Sequence, residues 1–277
     1  MIKRKQIGPV TQFLMGRVID GSLIRAMACY YVDGLLIDSG TVHVSCELAD
    51  AFSALPIHTL VNTHHHEDHI GNNSWFQKHC KLGPALAHPL AVPIIEKTSP
   101  LIQPLAEYRL RTWGDPPASS AQAIGQEIIT ENYRFKVLET PGHTPDHISL
   151  LESERGWLFA GDLYFGEKVI EIHRDEDPDL MLNSLMKLLR YDFEYLFCSS
   201  GKVLPGNARR AIVAKIAFWE EQRELVRYLY QQGLAAEEIR DRLYGPESSL
   251  YQKCEEELGK IHLVRAFLKG YTKDGQL

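Results

Sequence analysis

The sequence predicts a protein of mixed α+β class with a helical C-terminal part. Strand-like and helix-like segments alternate up to about residue 204, and from Pro205 onward the pattern is helical. The length of 277 residues suits one large layered domain, alone or with a helical appendage. A hydrophobic content of 44% is ordinary for a chain that buries a core. We therefore expect a core over residues 1–205 and a helical extension packed on it over 206–277.

The first part of the chain is predicted to consist mainly of antiparallel strands. Turn signals at Asp20-Gly21-Ser22 and at Asp33-Gly34 separate the apolar runs, as hairpins require. A helical pattern then ends before Pro56. The predicted elements are strands over 12–19, 24–32 and 35–37 and a helix over 47–55.

Strands and helices alternate between residues 57 and 204. A short β run over 57–62 leads into a histidine-rich segment, and the proline-rich span 97–125 is predicted to be a long loop with a helical piece over 101–111. The other predicted elements are helices over 72–79 and 179–189 and strands over 85–87, 133–139, 148–152, 157–160 and 195–198.

The C-terminal part is predicted to be helical throughout. Gly233 closes a long first helix, in the position that glycine favours at helix ends. We expect these helices to cover one face of the core or to form a contact between copies, with the lining of a pocket as a further alternative. The predicted helices are 207–232, 235–244 and 249–269.

The net charge and the spacing of the cysteines exclude several classes of partner and of protein. With 30 Lys and Arg against 36 Asp and Glu, the formal net charge of −6 leaves no basic surplus for nucleic acid. No apolar run predicts a membrane span or a signal peptide, and five scattered cysteines indicate free thiols. We therefore expect a cytoplasmic protein with a small-molecule substrate and neither nucleic acid nor membrane as partner; a homo-oligomer stays open.

A cluster of metal-ligating residue types follows the β run. Residues 64–69 read HHHEDH, between an apolar strand and a glycine. In extended backbone alternate residues share a face, so His64 and His66 can point together while Asp68 and His69 turn to a neighbouring position, about 3.5–4 Å away in two-metal sites. Zinc, manganese and iron accept these ligands. A histidine-rich surface loop is the alternative, but the strand–helix junction favours a metal site.

Four motifs resemble those of the metallo-β-lactamase superfamily, and they occur along the chain in the same order as in that family. Residues 63–69 match its HxHxDH signature. Residues 36–40 (LIDSG), 140–147 (TPGHTPDH) and 159–162 (FAGD) resemble three further segments of the family. The resemblance covers about residues 10–205 and leaves the helical extension outside it. It implies a four-layer αβ/βα sandwich with the site at one edge.

The resemblance also implies a ligand set. His64, His66 and His143 would form a first metal site; Asp68 and His69 would form a second, and Asp162 would bridge the two. The cofactor is then one or two divalent metal ions, zinc first, with manganese or iron as alternatives. Asp68 and Asp162 are the candidate catalytic residues, because either carboxylate could accept a proton and pass it to the leaving group.

Four nearby residues are expected to stay outside the ligand set. Asp38 would orient the ligand loops, the role that such carboxylates usually take. His65 and Glu67 are expected to point away from the metals. His147 is near the site in sequence, but the family does not use it as a direct ligand.

The sequence departs from the family at the last ligand of the second site. Hydrolases of the superfamily usually place a histidine after the last core strand, and here Ser200 stands in the aligned position. Three alternatives follow: a second metal bound more weakly through the remaining groups and solvent, a mononuclear site, or a substitute ligand such as His173. We favour an exposed loop position for His173. Cys198 is expected to lie in the core.

Hydrolysis is the expected function. A bound metal ion lowers the pKa of water towards ~7, so metal-activated hydroxide is available near neutral pH to attack a small-molecule ester, thioester, lactone or phosphoester. The resemblance is to glyoxalase II-like thioesterases and lactonases. Two alternatives are a mononuclear iron oxygenase acting on a sulfur substrate and a non-catalytic sensor on the same fold.

Overall fold

Two large β-sheets form the centre of the molecule in the computed structural model, which describes residues 1–19, 22–99 and 104–271. The first sheet has the order β1 (Ile2–Ile7), β2 (Val10–Ile19), β3 (Ser22–Val32), β4 (Leu35–Ile37), β5 (Thr59–Val61), β6 (Ala85–Ala87) and β7 (Ala121–Ala123). The remaining strands are β8 (Glu127–Ile129), β9 (Arg134–Glu139), β10 (Ile148–Glu152), β11 (Trp157–Phe159), β12 (Ile172–His173), β13 (Tyr195–Phe197), β14 (Val203–Pro205) and β15 (Leu258–Gly259). The second sheet has the order β14-β13-β11-β10-β9-β8, and β12 pairs with β15 in a separate ribbon.

The helices lie in the connections and at the C-terminal end. They are α1 (Leu48–Phe52), α2 (Glu67–Ile70), α3 (Asn73–Cys80), α4 (Val92–Ile95), α5 (Glu107–Thr112), α6 (Pro178–Leu188), α7 (Ala208–Gln231), α8 (Ala236–Tyr244), α9 (Ser249–Lys253) and α10 (Lys260–Leu268). None of the described helices is long and apolar enough to cross a membrane.

The alternation of side chains along the strands builds four layers. In β3, Tyr30 packs against Phe159 of the second sheet with ring centroids 5.5 Å apart, whereas Cys29 faces the cluster that contains Phe76 of α3. In β11, Phe159 points between the sheets and Leu158 points to the cluster formed with α6, α7 and α10. Successive residues point to opposite faces of a strand, so helices cover the outer face of each sheet. The αβ/βα sandwich is confirmed.

Parallel strand pairs bring the predicted motifs to one edge of the sandwich. β4 and β5 are parallel, so Asp38 and the histidine-rich segment both follow strand ends at that edge. β11 and β13 are also parallel, which places Asp162 and Ser199 together. The amide of Ile148 donates to the carbonyl of Thr63 at 2.8 Å and joins the two sheets beside the site.

Some predicted elements differ from the structure. The single helix predicted over 249–269 is wrong: α9 ends at Lys253, and β15 precedes α10. Glu255 and Glu256 have φ values of 52° and 64°, a left-handed conformation that stops a helix. In the loop 97–125 the helix covers Glu107–Thr112. Residues 101–103 of the predicted helical piece, and Asp20-Gly21 of the first turn, lie outside the described residues.

The C-terminal helices share one core cluster with the second sheet. Ile212 of α7 and Val264 of α10 are fully buried in the cluster that contains Leu158 of β11 and Leu185 of α6. Burial of this kind stabilises by about 25 cal/mol per Å² of apolar surface removed from water. The helices therefore form the outer layer on the second sheet.

Candidate metal centre

The histidine-rich segment turns from β5 directly into α2. His66 is the last extended residue, with φ −64° and ψ 152°, and α2 begins at Glu67. His64 and His66 therefore project from the loop, whereas Asp68 and His69 project from the first turns of the helix. The change of backbone direction separates the two pairs of side chains, as predicted from their spacing.

Four side chains meet at one point. One ligand atom from each of His64, His66, His143 and Asp162 lies within 4.8 Å of all the others. His66 Nδ1 is 3.0 Å from His64 Nε2 and 2.9 Å from His143 Nε2, and His143 Nε2 is 3.3 Å from Asp162 Oδ2. Ligands about 2.0–2.1 Å from a tetrahedral zinc ion would be separated by ~3.3 Å. The cluster thus has the dimensions of a metal coordination sphere.

The second nitrogen of several of these imidazoles has its own partner. Nδ1 of His143 lies 2.6 Å from Oε1 of Glu176, and Nδ1 of His64 lies 3.2 Å from the Thr63 hydroxyl. His69 is held in the same way, with Nδ1 2.8 Å from Oδ2 of Asp38. Partners of this kind fix the ring orientation of metal-ligating histidines. In all three rings, Nε2 is the nitrogen that faces the centre.

Asp162 follows β11 in a tight turn that its neighbours define. Gly161 has φ 50°, and a Cβ there would lie 2.5 Å from Nε2 of His147, so glycine is required. The amide of Asp162 donates to the same nitrogen at 3.1 Å, and Nδ1 of His147 is 2.9 Å from the Thr140 hydroxyl. Both ring nitrogens of His147 are thus engaged. It positions the Asp162 backbone and stays outside the cluster, as expected.

The groups predicted for a second metal lie on the other side of Asp162. Nε2 of His69 is 3.2 Å from Oδ1 of Asp162 and 3.9 Å from Oδ2 of Asp68. Although buried, this nitrogen has no partner in hydrogen-bonding geometry among the described residues. Such an unsatisfied atom between two carboxylates is what a cation site would leave.

Ser199 and Ser200 occupy the loop after β13. The Ser199 hydroxyl contacts Oδ1 of Asp162. The Ser200 hydroxyl is buried and has no hydrogen-bond partner within the described ranges, and Ser200 lines the same pocket as Asp68. Cys198 is fully buried in the core, as predicted. The region of the missing histidine therefore contains two hydroxyls and no imidazole.

The two remaining residues of the HHHEDH run point away from the centre. Nδ1 of His65 is 2.7 Å from Oδ1 of Asp146. The buried carboxylate of Glu67 accepts from Arg109 of α5, with Nη2 2.8 Å and Nε 3.1 Å from Oε2. Because a two-point guanidinium–carboxylate pair is geometrically specific, it fixes α5 beside the site. Both side chains face away from the cluster, as expected.

The pKa values of the histidines in and beside the cluster are shifted in opposite directions. Burial, reinforced by neighbouring imidazoles, lowers the pKa values of His64 and His66 well below the usual range, so both rings are neutral and can offer a lone pair. For His69, burial disfavours the charged form, but the carboxylates of Asp38 and Asp162 outweigh it and raise the pKa. Asp162 and Glu176 raise the pKa of His143 in the same way, and the two imidazoles lower the pKa of Asp162. Asp162 is therefore an anion facing imidazoles.

The donor set fits a divalent metal ion. Imidazole nitrogens and a carboxylate converge within a coordination distance, and the outer nitrogen of His143 is held by Glu176. A cluster of hydrogen-bonded histidines without an ion would leave adjacent nitrogens competing for few protons. The structure thus brings together His64, His66, His143 and Asp162, with Asp68 and His69 beside them.

A pocket of about 460 Å³ opens onto the centre. Its volume lies within the ~300–1,000 Å³ usual for small-molecule sites. Its lining combines residues of the candidate metal centre with mainly apolar residues of the second sheet's side. The former include His66, Asp68, His143 and Asp162, and the latter include Val169, Ile172, Met181, Lys215 and Trp219. The pocket thus lies between the metal centre and the helical layer.

Three contributors to this region were not predicted from the sequence. Glu176 supports His143 from 33 residues away, Ser199 contacts Asp162, and Arg109 reaches Glu67 from a helix in the long loop. No motif marks these positions. His173 was expected on an exposed loop, but it is half-buried in β12 and lines the pocket without joining the four-residue cluster.

Comparisons with known proteins agree with this geometry. The family profile described as the metallo-beta-lactamase superfamily matches residues 28–200, which contain the whole cluster. A hydroxyacylglutathione hydrolase of Stenotrophomonas maltophilia is 27% identical over 69% of this chain, and the match spans 65% of that relative, just under two thirds of its length.

Two solved structures share the fold. A beta-lactamase domain protein from Burkholderia ambifaria has a TM-score of 0.67 at 17% identity and covers 99% of this chain and 88% of its own. The structure of TTHA1623 in a di-iron-bound form has a TM-score of 0.52 at 25% identity, covering 67% of this chain and 93% of its own. The motifs, the site and these matches lead to one conclusion: the chain belongs to the metallo-β-lactamase superfamily.

Proposed function

We propose that this chain is a metal-dependent hydrolase acting on a small-molecule thioester or a related ester, lactone or phosphoester. The observation that carries the proposal is the convergence of His64, His66, His143 and Asp162 within 4.8 Å beside a pocket that three of them line. When bound there, a divalent metal ion would polarise the scissile carbonyl or phosphoryl group and make hydroxide available near neutral pH.

The protein's own groups divide the remaining tasks. Glu176 and Thr63 hold the outer nitrogens of His143 and His64, so the inner nitrogens keep their direction. Asp162 is engaged by Ser199, with His69 and His143 close to its oxygens. We therefore assign Asp162 to binding both metal positions.

Asp68 is the better candidate to carry a proton. Its side chain lines the pocket, and its Oδ2 lies 3.9 Å from Nε2 of His69, so it is less engaged than Asp162. From this position its carboxylate can accept a proton from the attacking water and return it to the leaving group. General acid–base transfer of this kind contributes typically ~10²–10⁴-fold.

Thioesters are the first substrate class to test. The relative from Stenotrophomonas maltophilia is named a hydroxyacylglutathione hydrolase. A thiolate leaves more readily than an alkoxide, so a thioester places a smaller demand on protonation by Asp68. The apolar inner wall of the pocket suits an aliphatic or aromatic acyl chain.

The test is hydrolysis by metal-stripped protein before and after restoration of zinc, manganese or iron. Thioesters, lactones, carboxylic esters and phosphodiesters are compared, and thiol release is followed with a disulfide reagent. We expect at least one class to be hydrolysed only after metal is restored. Hydrolysis that is independent of metal, or no hydrolysis in any class, would contradict the proposal.

An oxygenase with iron at the same cluster is the second candidate. It is motivated by the hydroxyl of Ser200 in place of an imidazole and by the two iron ions in the TTHA1623 structure. Elemental analysis of protein purified under metal-replete conditions separates the two functions. About one iron with oxygen uptake on a sulfur substrate supports the oxygenase, whereas zinc or manganese with hydrolysis supports our proposal.

A further inference from the structure

Lys215 is a lysine in the buried face of α7. Its neighbours on that face, Ile212, Ile216 and Trp219, are core residues, and Lys215 itself is only 1% exposed. Lysine is almost never fully buried without a partner, because removing the ammonium from water disfavours its charge. Packing of the helix therefore gives no reason for a charged residue at this position.

The surroundings of the ammonium are mainly aromatic. Nζ lies 4.0 Å from the centroid of the Trp219 ring and 5.9 Å from that of Tyr164, and cation–π contact stabilises such a charge in part. Among the described residues, no carboxylate oxygen lies within 4.0 Å of Nζ. Glu176 is the acidic group that acts most on Lys215, but its Oε1 is already 2.6 Å from His143.

The ammonium keeps its proton in this environment. Burial lowers the pKa of Lys215 to about 8, and the charge of Glu176 limits the decrease. At pH 7 the side chain is therefore predominantly cationic. A cation without a contacting anion in a pocket wall is a binding group for an incoming anion.

Lys215 lies in the wall of the same pocket as the metal centre. Its lining includes His66 and Asp162 of the cluster together with Lys215 and Trp219 of α7. The indole Nε1 of Trp219 donates to the carbonyl of Val169 at 2.8 Å, which fixes the ring beneath the ammonium. The pocket therefore combines a reaction centre, apolar walls and two cationic side chains. The guanidinium of Arg109 is already paired with Glu67, which leaves the ammonium of Lys215 for an incoming anion.

We propose that Lys215 binds a carboxylate of the substrate while the scissile carbonyl lies at the metal centre. The proposal rests on the hydrolase function proposed above and specifies its substrate class. That class is an anionic thioester or ester with an apolar stretch between its carboxylate and the scissile bond. Lys215 is a specificity-determining residue in this assignment, because it contacts the substrate away from the reacting atoms.

The test compares charged and neutral forms of the same substrates at pH 7 with metal-loaded protein. The probes are the acetyl thioesters of 3-mercaptopropionic and 6-mercaptohexanoic acid and their primary amides. Loss of a charge-assisted contact corresponds to about 10- to 100-fold. We expect KM for at least one acid to be lower than for its amide by this factor, with little change in kcat. Lys215→Met should remove the difference.

Lys136→Met is the matched control. Lys136 is exposed on β9, its Nζ lies 4.9 Å from the centroid of the Tyr191 ring, and it is not among the residues that line the pocket. The substitution removes a lysine from an aromatic ring without touching the site, so the preference for the acid should survive. Equal KM values for acid and amide in the wild type, or a preference that persists in Lys215→Met, would overturn the proposal.

Calorimetry with non-hydrolysable S-ethyl thioethers of the same acids and amides separates this proposal from the hydrolase function. If no thioester is cleaved but the acid binds more tightly than the amide only when Lys215 is present, the hydrolase proposal fails and the carboxylate site stands. If cleavage occurs but the acid binds no more tightly than the amide, only the proposal of a carboxylate site at Lys215 fails. The fold of Lys215→Met is checked by its metal content and by circular dichroism. If Lys215→Met does not fold, Lys215→Gln is used in its place. The wild-type comparison requires no variant.

Discussion

The two sides of the candidate metal centre differ in the number of imidazoles that they provide. On one side, His64, His66 and His143 present three imidazoles within contact distance of one another. On the other side, the described residues provide one imidazole, that of His69. It is accompanied by carboxylates and by the hydroxyl of Ser200, which has no hydrogen-bond partner among those residues. Three nitrogen donors and a carboxylate complete a tetrahedral site. The comparison teaches that the described residues provide a full donor set for one metal ion on the His64 side and fewer nitrogen donors on the His69 side.

Asp162 joins the two halves, so its loss should have the largest effect. Asp162→Ala removes the carboxylate that lies 3.3 Å from His143 Nε2 and 3.2 Å from His69 Nε2. We expect metal content to fall at both positions and turnover to fall by more than the ~100-fold upper end seen for lost outer partners. Elemental analysis and thioester kinetics provide the measurement.

Asp146→Ala is the control for that loss. Asp146 is also a buried aspartate paired with a histidine, but its partner His65 points away from the cluster. The Asp146→Ala variant should retain the metal content of the wild type. Normal metal content and kinetics in Asp162→Ala would show that the Gly161-Asp162 turn is only structural.

His66 tests the complete half alone. Because His66 contacts both other imidazoles of that half, His66→Ala should remove the most tightly bound metal and lower activity about 100-fold or more. His65→Ala, one residue earlier in the chain, should retain both metal and turnover. A full metal load in His66→Ala would mean that His64, His66 and His143 are not the first site.

Glu176 tests how the complete half is held in place. Glu176→Gln weakens the 2.6 Å contact to Nδ1 of His143 without removing a ligand. We expect metal affinity to decrease about 10- to 100-fold, measured by chelator competition, with kcat changing less than affinity. Asp175→Asn alters an exposed carboxylate next to it and should have no effect. Unchanged affinity in Glu176→Gln would limit Glu176 to a packing role.

Ser200 tests the incomplete half, with the smallest expected effect. If Ser200 occupies the place of the usual histidine, Ser200→His adds an imidazole and should tighten the second metal about tenfold. A tenfold lower Kd raises the free energy of unfolding by about 1.4 kcal/mol when metal is in excess. Ser200→Asn, which introduces a weaker donor, is the comparison. Equal affinities in the wild type and Ser200→His would show that Ser200 does not face the metals.

Much of the fold and of the cluster could be predicted from the sequence. The sequence predicts strands over 35–37 and 57–62 that lead into the LIDSG motif and the HHHEDH run, and β4 and β5 do so. The parallel pairing of these two strands is known from the structure alone. His143 and Asp162 came from the family motifs, because nothing in their spacing alone brings them to His66. The four ligand atoms are together in the structure.

The supporting residues could not be predicted, for a physical reason. Glu176 and Arg109 act through contacts between segments distant in sequence, and periodicity reports only on local structure. The break at Glu255 depends on two non-glycine residues with positive φ, which no turn signal announces. The sequence does contain a signal for Lys215, namely a charged residue in the apolar stripe of α7. Only the structure shows that this residue lines the pocket.

The most direct test of the unequal halves is a zinc titration of the metal-free protein against a chromophoric chelator. The same titration on His66→Ala assigns the phases. We predict one equivalent of zinc bound at high affinity, any second equivalent at least about tenfold weaker, and loss of the tight phase in His66→Ala. Two equivalents of equal affinity in the wild type, or a tight phase that survives in His66→Ala, would contradict the account.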